Sequence, residues 1–315
     1  MALLLLAAVA TAALLGVALA AAIILARRSR READTATPDL AHIARWTAGW
    51  RWAGVALGLL LGGMAFLSAQ RPVALGRLAM ASPALAAGCI LAGVAIGEAT
   101  ARPARTATRT ATLGTRSWRS LLPRNRTIIV GGGLGILMSL LLVGTLTASP
   151  DDAGRPGRAL TATCTVDIPG IGATVQTSTG SPWPGSFYAL PAAIAVCACL
   201  ALAIGGGVAV HRRANPSAST EVVDRLLRRE AMANLVSATG VVAFGTAAPV
   251  ALVMATVLHS NDCVHGGDTF SGILLVIALT CAVATVAMLG HLLLPRTRAL
   301  RVVAEAAGGP ARSAW

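Results

Sequence analysis

The sequence predicts an all-α membrane protein: a bundle of seven transmembrane helices forming one domain over residues 1–315. The amino terminus is expected outside, the carboxyl terminus in the cytoplasm, and a small β-hairpin cap on the outer face. Three observations predict this class. The 315-residue chain is 55% hydrophobic and only 12% charged, with a mean hydropathy of +0.71, about half the ~25% charge of a soluble domain. Several apolar runs reach the roughly 20 residues that cross a bilayer. The connections between those runs alternate between arginine-rich and arginine-poor.

The expected spans are 2–26, 52–68, 78–96, 128–146, 186–210, 231–258 and 270–294. The first lacks a basic stretch before it and is followed by RRSRR, so it reads as a retained, reversed anchor and not as a cleaved signal peptide. Arginines 27, 28, 30, 31, 45 and 51 follow span one, and 102, 105, 109, 116, 119, 124 and 126 follow span three. Arginines 212, 213, 225, 228 and 229 follow span five, and 296, 298, 301 and 312 lie in the tail. The other connections hold only Arg71, Arg77, Arg155 and Arg158. Positively charged loops stay in the cytoplasm, which sets the expected orientation. The same charge favours contact with anionic lipid head groups. It does not indicate nucleic acid, because no recognised fold or aromatic–basic interleaving accompanies it. Trp46, Trp50, Trp52, Trp118, Trp183 and Tyr188 fall at the ends of spans, where amphipathic rings settle at the membrane interface.

The long outer loop, 149–185, contains TATCTVD (Thr161–Asp167) and ATVQTST (Ala173–Thr179), two alternating β-branched runs separated by Pro and Gly, which read as the hairpin. Cys89, Cys197, Cys199 and Cys281 lie in apolar spans, whereas Cys164 and Cys263 lie one each in the two outer loops. An oxidising outer compartment then predicts a Cys164–Cys263 disulfide. Closing so long a loop corresponds to roughly 4–5 kcal/mol in the chain-entropy model, less here because the membrane already restrains much of it. The second loop reads HSNDCVHGGD, with His259, Asp262, His265 and Asp268 at every third position. Imidazole with carboxylate suits zinc or copper, so these four are the metal candidates. Gly266–Gly267 and the absence of a regular helix make a tethered polar turn the preferred reading, with no metal and no cofactor.

The central portions of the spans carry no Asp, Glu or Arg; Glu98, His211 and His291 sit at the cytoplasmic ends. This argues against an intramembrane proton relay. All 26 basic residues are arginine, which excludes lysine Schiff bases and the P-loop lysine. Gly54, Gly58 and Gly62 form a small-xxx-small face for internal packing, or for a membrane partner or homo-oligomer. Pro249 is expected to kink the sixth span. Before that span, STEVVDRLLRRE reads as a cytoplasmic helical extension whose Arg225, Arg228 and Arg229 offer a docking surface or lipid contact. The segment 102–126, rich in Thr, Ala and Arg, reads as a flexible inner loop.

DDAGRPGRAL (Asp151–Leu160), SPWPGSFYALP (Ser181–Pro191) and DRLLRREAMANL (Asp224–Leu235) carry a resemblance across most of the chain. On these stretches it resembles a loose group of Ala- and Arg-rich polytopic integral membrane proteins of high-GC bacteria, to which no chemistry is attached. No HExxH, GxSxG or Walker sequence is present. The expected function is a non-catalytic subunit, scaffold or sensor of the cell membrane. The alternatives are a permease or exporter of small amphipathic molecules, and a membrane enzyme or metal-binding protein using the outer His/Asp loop.

Overall fold

The computed structural model describes residues 38–68, 76–101, 121–169, 172–212 and 221–293. Among the described residues there are six long helices: α1 (Pro38–Leu67), α2 (Ser82–Thr100), α3 (Arg124–Leu146), α4 (Ser186–Arg212), α5 (Glu221–His259) and α6 (Gly267–Leu293). Between α3 and α4 runs one hairpin, β1 (Leu160–Ile168) paired antiparallel with β2 (Gly172–Gly180). All six helices contain a stretch long and apolar enough to cross a membrane, which suits a multi-pass membrane protein. The expected first span, 2–26, lies outside the described residues, as does most of the loop expected over 102–126.

Helix α5 is the axis of the bundle. It touches α2, α3, α4 and α6, and 61% of its most apolar stretch is buried, against 11% in α6. Its inner faces are lined by Ala238, Val242, Ala243, Ala247, Val250 and Ala251, all fully buried. The outward faces of the other helices carry Leu59, Leu60, Met64, Ile128, Leu142, Ile194, Ile204, Val276 and Leu279 in the open. Such a rim of apolar side chains would be a liability in water and is the expected surface toward lipid tails.

Contacts between helices fix which ends lie together. Arg77, before α2, stacks on Phe187 at the start of α4, and the turn after α5 is bonded to β1. At the opposite end, Arg228 near the start of α5 reaches the last carbonyls of α4, and Arg51 of α1 reaches Leu292 of α6. The connections therefore alternate, and the described arginines segregate with them. Arg45, Arg51, Arg124, Arg126, Arg212, Arg225, Arg228 and Arg229 sit toward one end, and Arg77, Arg155 and Arg158 toward the hairpin end.

Helix boundaries differ from expectation at α1, α2 and α3, with α2 running Ser82–Thr100 instead of 78–96. Helix α1 starts at Pro38 instead of Trp52, so Trp46, Trp50 and Trp52 lie within it. There Trp46 Nε1 donates to Thr100 Oγ1 (3.0 Å) and its ring meets Trp50 edge-on. Helix α3 starts at Arg124 and not Ile128, which removes Arg124 and Arg126 from the loop expected over 102–126. Helix α5 is one helix of 39 residues running through Pro249.

Small residues set the closest approach. A Cβ added at Gly54 would lie 2.6 Å from the Cys89 carbonyl oxygen, and one at Gly58 2.5 Å from that of Ala86. At Gly62 it would lie 2.8 Å from the Ala86 Cβ. The Gly54, Gly58 and Gly62 positions thus all meet α2 of the same chain, the internal packing expected of a small-xxx-small face. Backbones can approach this closely only where both helices are bare. We therefore expect Gly58→Ala to cost about 1–3 kcal/mol through overpacking. Gly63→Ala, where an added Cβ meets nothing within 4 Å, should be neutral or slightly stabilising through helix propensity. Thermal unfolding of the two variants in detergent separates them; equal melting temperatures would refute the α1–α2 contact.

Candidate functional site

At the hairpin end, strand alternation divides the hairpin into two unlike faces. The pairing Cys164↔Gln176 and Ala162↔Ser178 puts these four on one side, directed to the turn between α5 and α6. Cys164 is disulfide-bonded to Cys263, with Cα atoms 5.0 Å apart. Asn261, 3% exposed, supplements the bond. Its Nδ2 donates to the carbonyls of Leu160 (3.5 Å) and Ser178 (3.4 Å), one on each strand, while its Oδ1 accepts the Cys263 N–H (3.3 Å). At the hairpin base, Gly180 packs against Val257 of α5 so closely that no Cβ would fit. The other face carries Thr161, Thr163, Thr165, Asp167, Ala173, Val175, Thr177 and Thr179, all exposed. Among the described residues the sheet has two strands, and no third strand lies against either outer edge.

The loop leading into β1 is organised by Asp151. Its Oδ1 accepts the N–H groups of Ala153 (3.1 Å) and Arg155 (2.8 Å), and its Oδ2 pairs with Arg155 Nε (3.0 Å) and Arg158 Nη1 (2.6 Å). Burial pushes this carboxyl up, but the Arg155 N–H, the Arg155 guanidinium and the Ala153 N–H outweigh it and hold the group below the ordinary value of 3.8. Trp183, 2% exposed, donates from Nε1 to the Gly144 carbonyl (2.9 Å) near the end of α3, with Thr147 Oγ1 at 3.1 Å.

Of the four metal candidates, the structure brings two together. His259 Nδ1 lies 3.1 Å from Asp268 Oδ1, both well exposed, while Asp262 and His265 are exposed on the turn. Among the described residues no three His, Cys, Asp or Glu side chains converge as a ligand set. The turn is a tethered one.

At the arginine-rich end the three arginines of the expected docking or lipid-contact surface are placed differently. Arg228 is 5% exposed and donates from Nη1 to the carbonyls of Val210 (3.1 Å) and His211 (3.0 Å) at the end of α4. It closes a neighbouring helix and is not offered outward; Arg229, one position on, is exposed, and Arg225 is placed by its backbone in the first turns of α5. Arg51 does the same for α6, donating from Nη1 to Leu292 O (3.0 Å) and from Nε to Thr47 O (3.2 Å), with Arg126 contacting His291 beside it. Glu98, 2% exposed, accepts from Asn234 Nδ2 (3.4 Å), which joins α2 to α5. Sequence reasoning missed Asn234 and Asn261; the available signal was an amide placed in or beside an apolar run.

Comparison of the chain with family models, with curated proteins and with solved structures finds no match.

Two outcomes follow from this geometry. Arg228→Met leaves two helix-end carbonyls without their charged donor, a loss of about 1–3 kcal/mol, while Arg229→Met leaves the melting temperature unchanged; equal responses would contradict the inward placement. A carboxyl lowered on folding stabilises above its unfolded value and loses that contribution as pH falls through the folded one. Exchange protection of the Ala153 and Arg155 amides is therefore expected to be full at neutral pH and to fall below about pH 4. In Asp151→Asn that dependence should vanish.

Proposed function

We propose that the protein is a non-catalytic, multi-pass subunit, scaffold or sensor of the cell membrane whose working surface is the exposed face of the disulfide-held hairpin. In this reading the arginine-rich end lies in the cytoplasm and the hairpin stands outside as the cap of the bundle. The segregation of arginines supports that orientation, and a disulfide suits the oxidising side of a membrane.

The observation that carries the proposal is the disposition of the hairpin. A lone two-stranded sheet is marginal in water. This one is held by a covalent bond, by Asn261 reading both strands, and by close packing of Gly180 on α5. Yet its Thr161–Thr179, Thr163–Thr177 and Thr165–Val175 pairs contribute nothing to the bundle; Val175 is 77% exposed. A rigid, pre-ordered surface binds without the ordering cost that a floppy loop would incur. Thr and Val on a flat face suit a protein partner, through side chains or through an added strand.

Purification from native membranes in mild detergent is expected to bring a companion protein in fixed ratio. Thr163→Arg with Val175→Asp should release it while leaving the disulfide and the melting temperature intact. A protein that purifies alone, or whose companion survives both changes, removes the proposal.

A further inference from the structure

A second surface at the hairpin end is under-neutralised. Arg77, from the connection before α2, and Arg158, just ahead of β1, both stack on the ring of Phe187, with guanidinium carbons 5.4 and 4.9 Å from its centroid. Arg158 is 7% exposed. One of its nitrogens meets Asp151 and another donates to the Tyr188 hydroxyl (3.3 Å). Its Nε–H is buried and has no acceptor. The Asp151 carboxylate is shared with Arg155, and Arg77 pairs with no acid among the described residues. Asp152, next in the chain, is exposed, and the ion pairs of Arg155 and Arg158 are made to Asp151. Arg155 and Arg158 thus share one bonded carboxylate, and Arg77 meets the same ring as Arg158 with no acid of its own. Like charges held on one ring repel, and an anion joining them lowers that cost.

The surroundings identify the class of anion. Phe187 lies in the first turn of α4, where the apolar span begins. Next in the chain to Arg77 is Leu78, 46% exposed, and one turn on from Phe187 is Leu190, 53% exposed. Basic groups above exposed leucines at the end of a membrane-crossing stretch match a phosphate with acyl chains below it. Guanidinium groups pair with phosphate through parallel hydrogen bonds that a point charge does not offer.

We propose that Arg77 and Arg158, on the Phe187 ring, bind a phosphate group, carried by a phospholipid whose chains lie along Leu78 and Leu190. Asp151 competes with that phosphate for Arg158. Binding is thus distinct from the hairpin face and does not depend on it.

The test uses the full chain in detergent, titrated with phosphatidylglycerol, with diacylglycerol of the same chains, and with inorganic phosphate, reading the rise in melting temperature. Phosphatidylglycerol is expected to stabilise and diacylglycerol is not. Arg77→Gln, a change at an exposed side chain, should weaken phosphatidylglycerol binding at least tenfold. Asp151→Asn should tighten it, the reverse of what a purely structural Asp151 would give. Stabilisation by inorganic phosphate at the same concentration, lost in Arg77→Gln, would support the phosphate site and assign free phosphate as its source. Equal binding by Arg77→Gln and the native chain, or equal effects of the two lipids with none from phosphate, would overturn the proposal.

Discussion

The arrangement of the bundle depends on how helix ends are finished where water is scarce. The last carbonyls of a helix have no partner within it, and in or near hydrocarbon each one left open is costly. Here the donors come from elsewhere in the chain. Arg228 of α5 closes α4, Arg51 of α1 closes α6, and Trp183 from the segment before α4 closes α3 at Gly144. A guanidinium fits this task because it offers several donors in a fixed plane and keeps its charge. Each such contact fixes the height of one helix against another. The closures therefore do for register what the glycine contacts of α1 and α2 do for distance.

The hairpin end faces a different difficulty, since a small sheet of threonines buries too little apolar surface to hold itself. The disulfide joins it to the turn after α5, and Asn261 binds a carbonyl on each strand. Because Asn261 is nearly fully buried, these bonds are shielded from competing water and count for more than the same bonds in the open. The Asp151 turn finishes the other approach to the sheet. Covalent, amide and ionic restraints thus meet around one hairpin whose remaining face is left clear.

Much of this was legible in the sequence, and the rest was hidden for physical reasons. Five later spans and the hairpin could be read because hydropathy and strand alternation are local signals. The disulfide could be read because only Cys164 and Cys263 stand outside apolar runs. The start of α1 was missed because its first turns, with Arg45, Arg51 and three tryptophans, are amphipathic and lower the average that marks a span. The inward bonds of Arg228 were not legible because Arg225, Arg228 and Arg229 look alike along the chain; which of them turns inward depends on where α4 ends. The same limit hid the choice of α2 as partner for the Gly54 face. Long-range partnership is set by tertiary packing, and a single sequence displays only the surface each helix brings to it.

These restraints bear on which of the proposed roles the molecule suits. Helix α5 has 39 residues, about 58 Å at 1.5 Å per residue, close to twice the roughly 30 Å of a hydrocarbon core. It carries Arg228 near one end and leads into the tethered turn at the other, so it links the arginine-rich end directly to the hairpin. A sensor needs an element with two arrangements that both sites can bias. Along this rod the place for one is Pro249, whose ring removes the donor to the Gly245 carbonyl and favours bending there. But α5 is enclosed at that level by its neighbours, with Ala247, Val250 and Ala251 fully buried, and a close-packed interior resists a bend. Of the roles proposed above, the packing of α5 around Pro249 suits the scaffold better than the sensor, because the helix is held at both ends and enclosed between them.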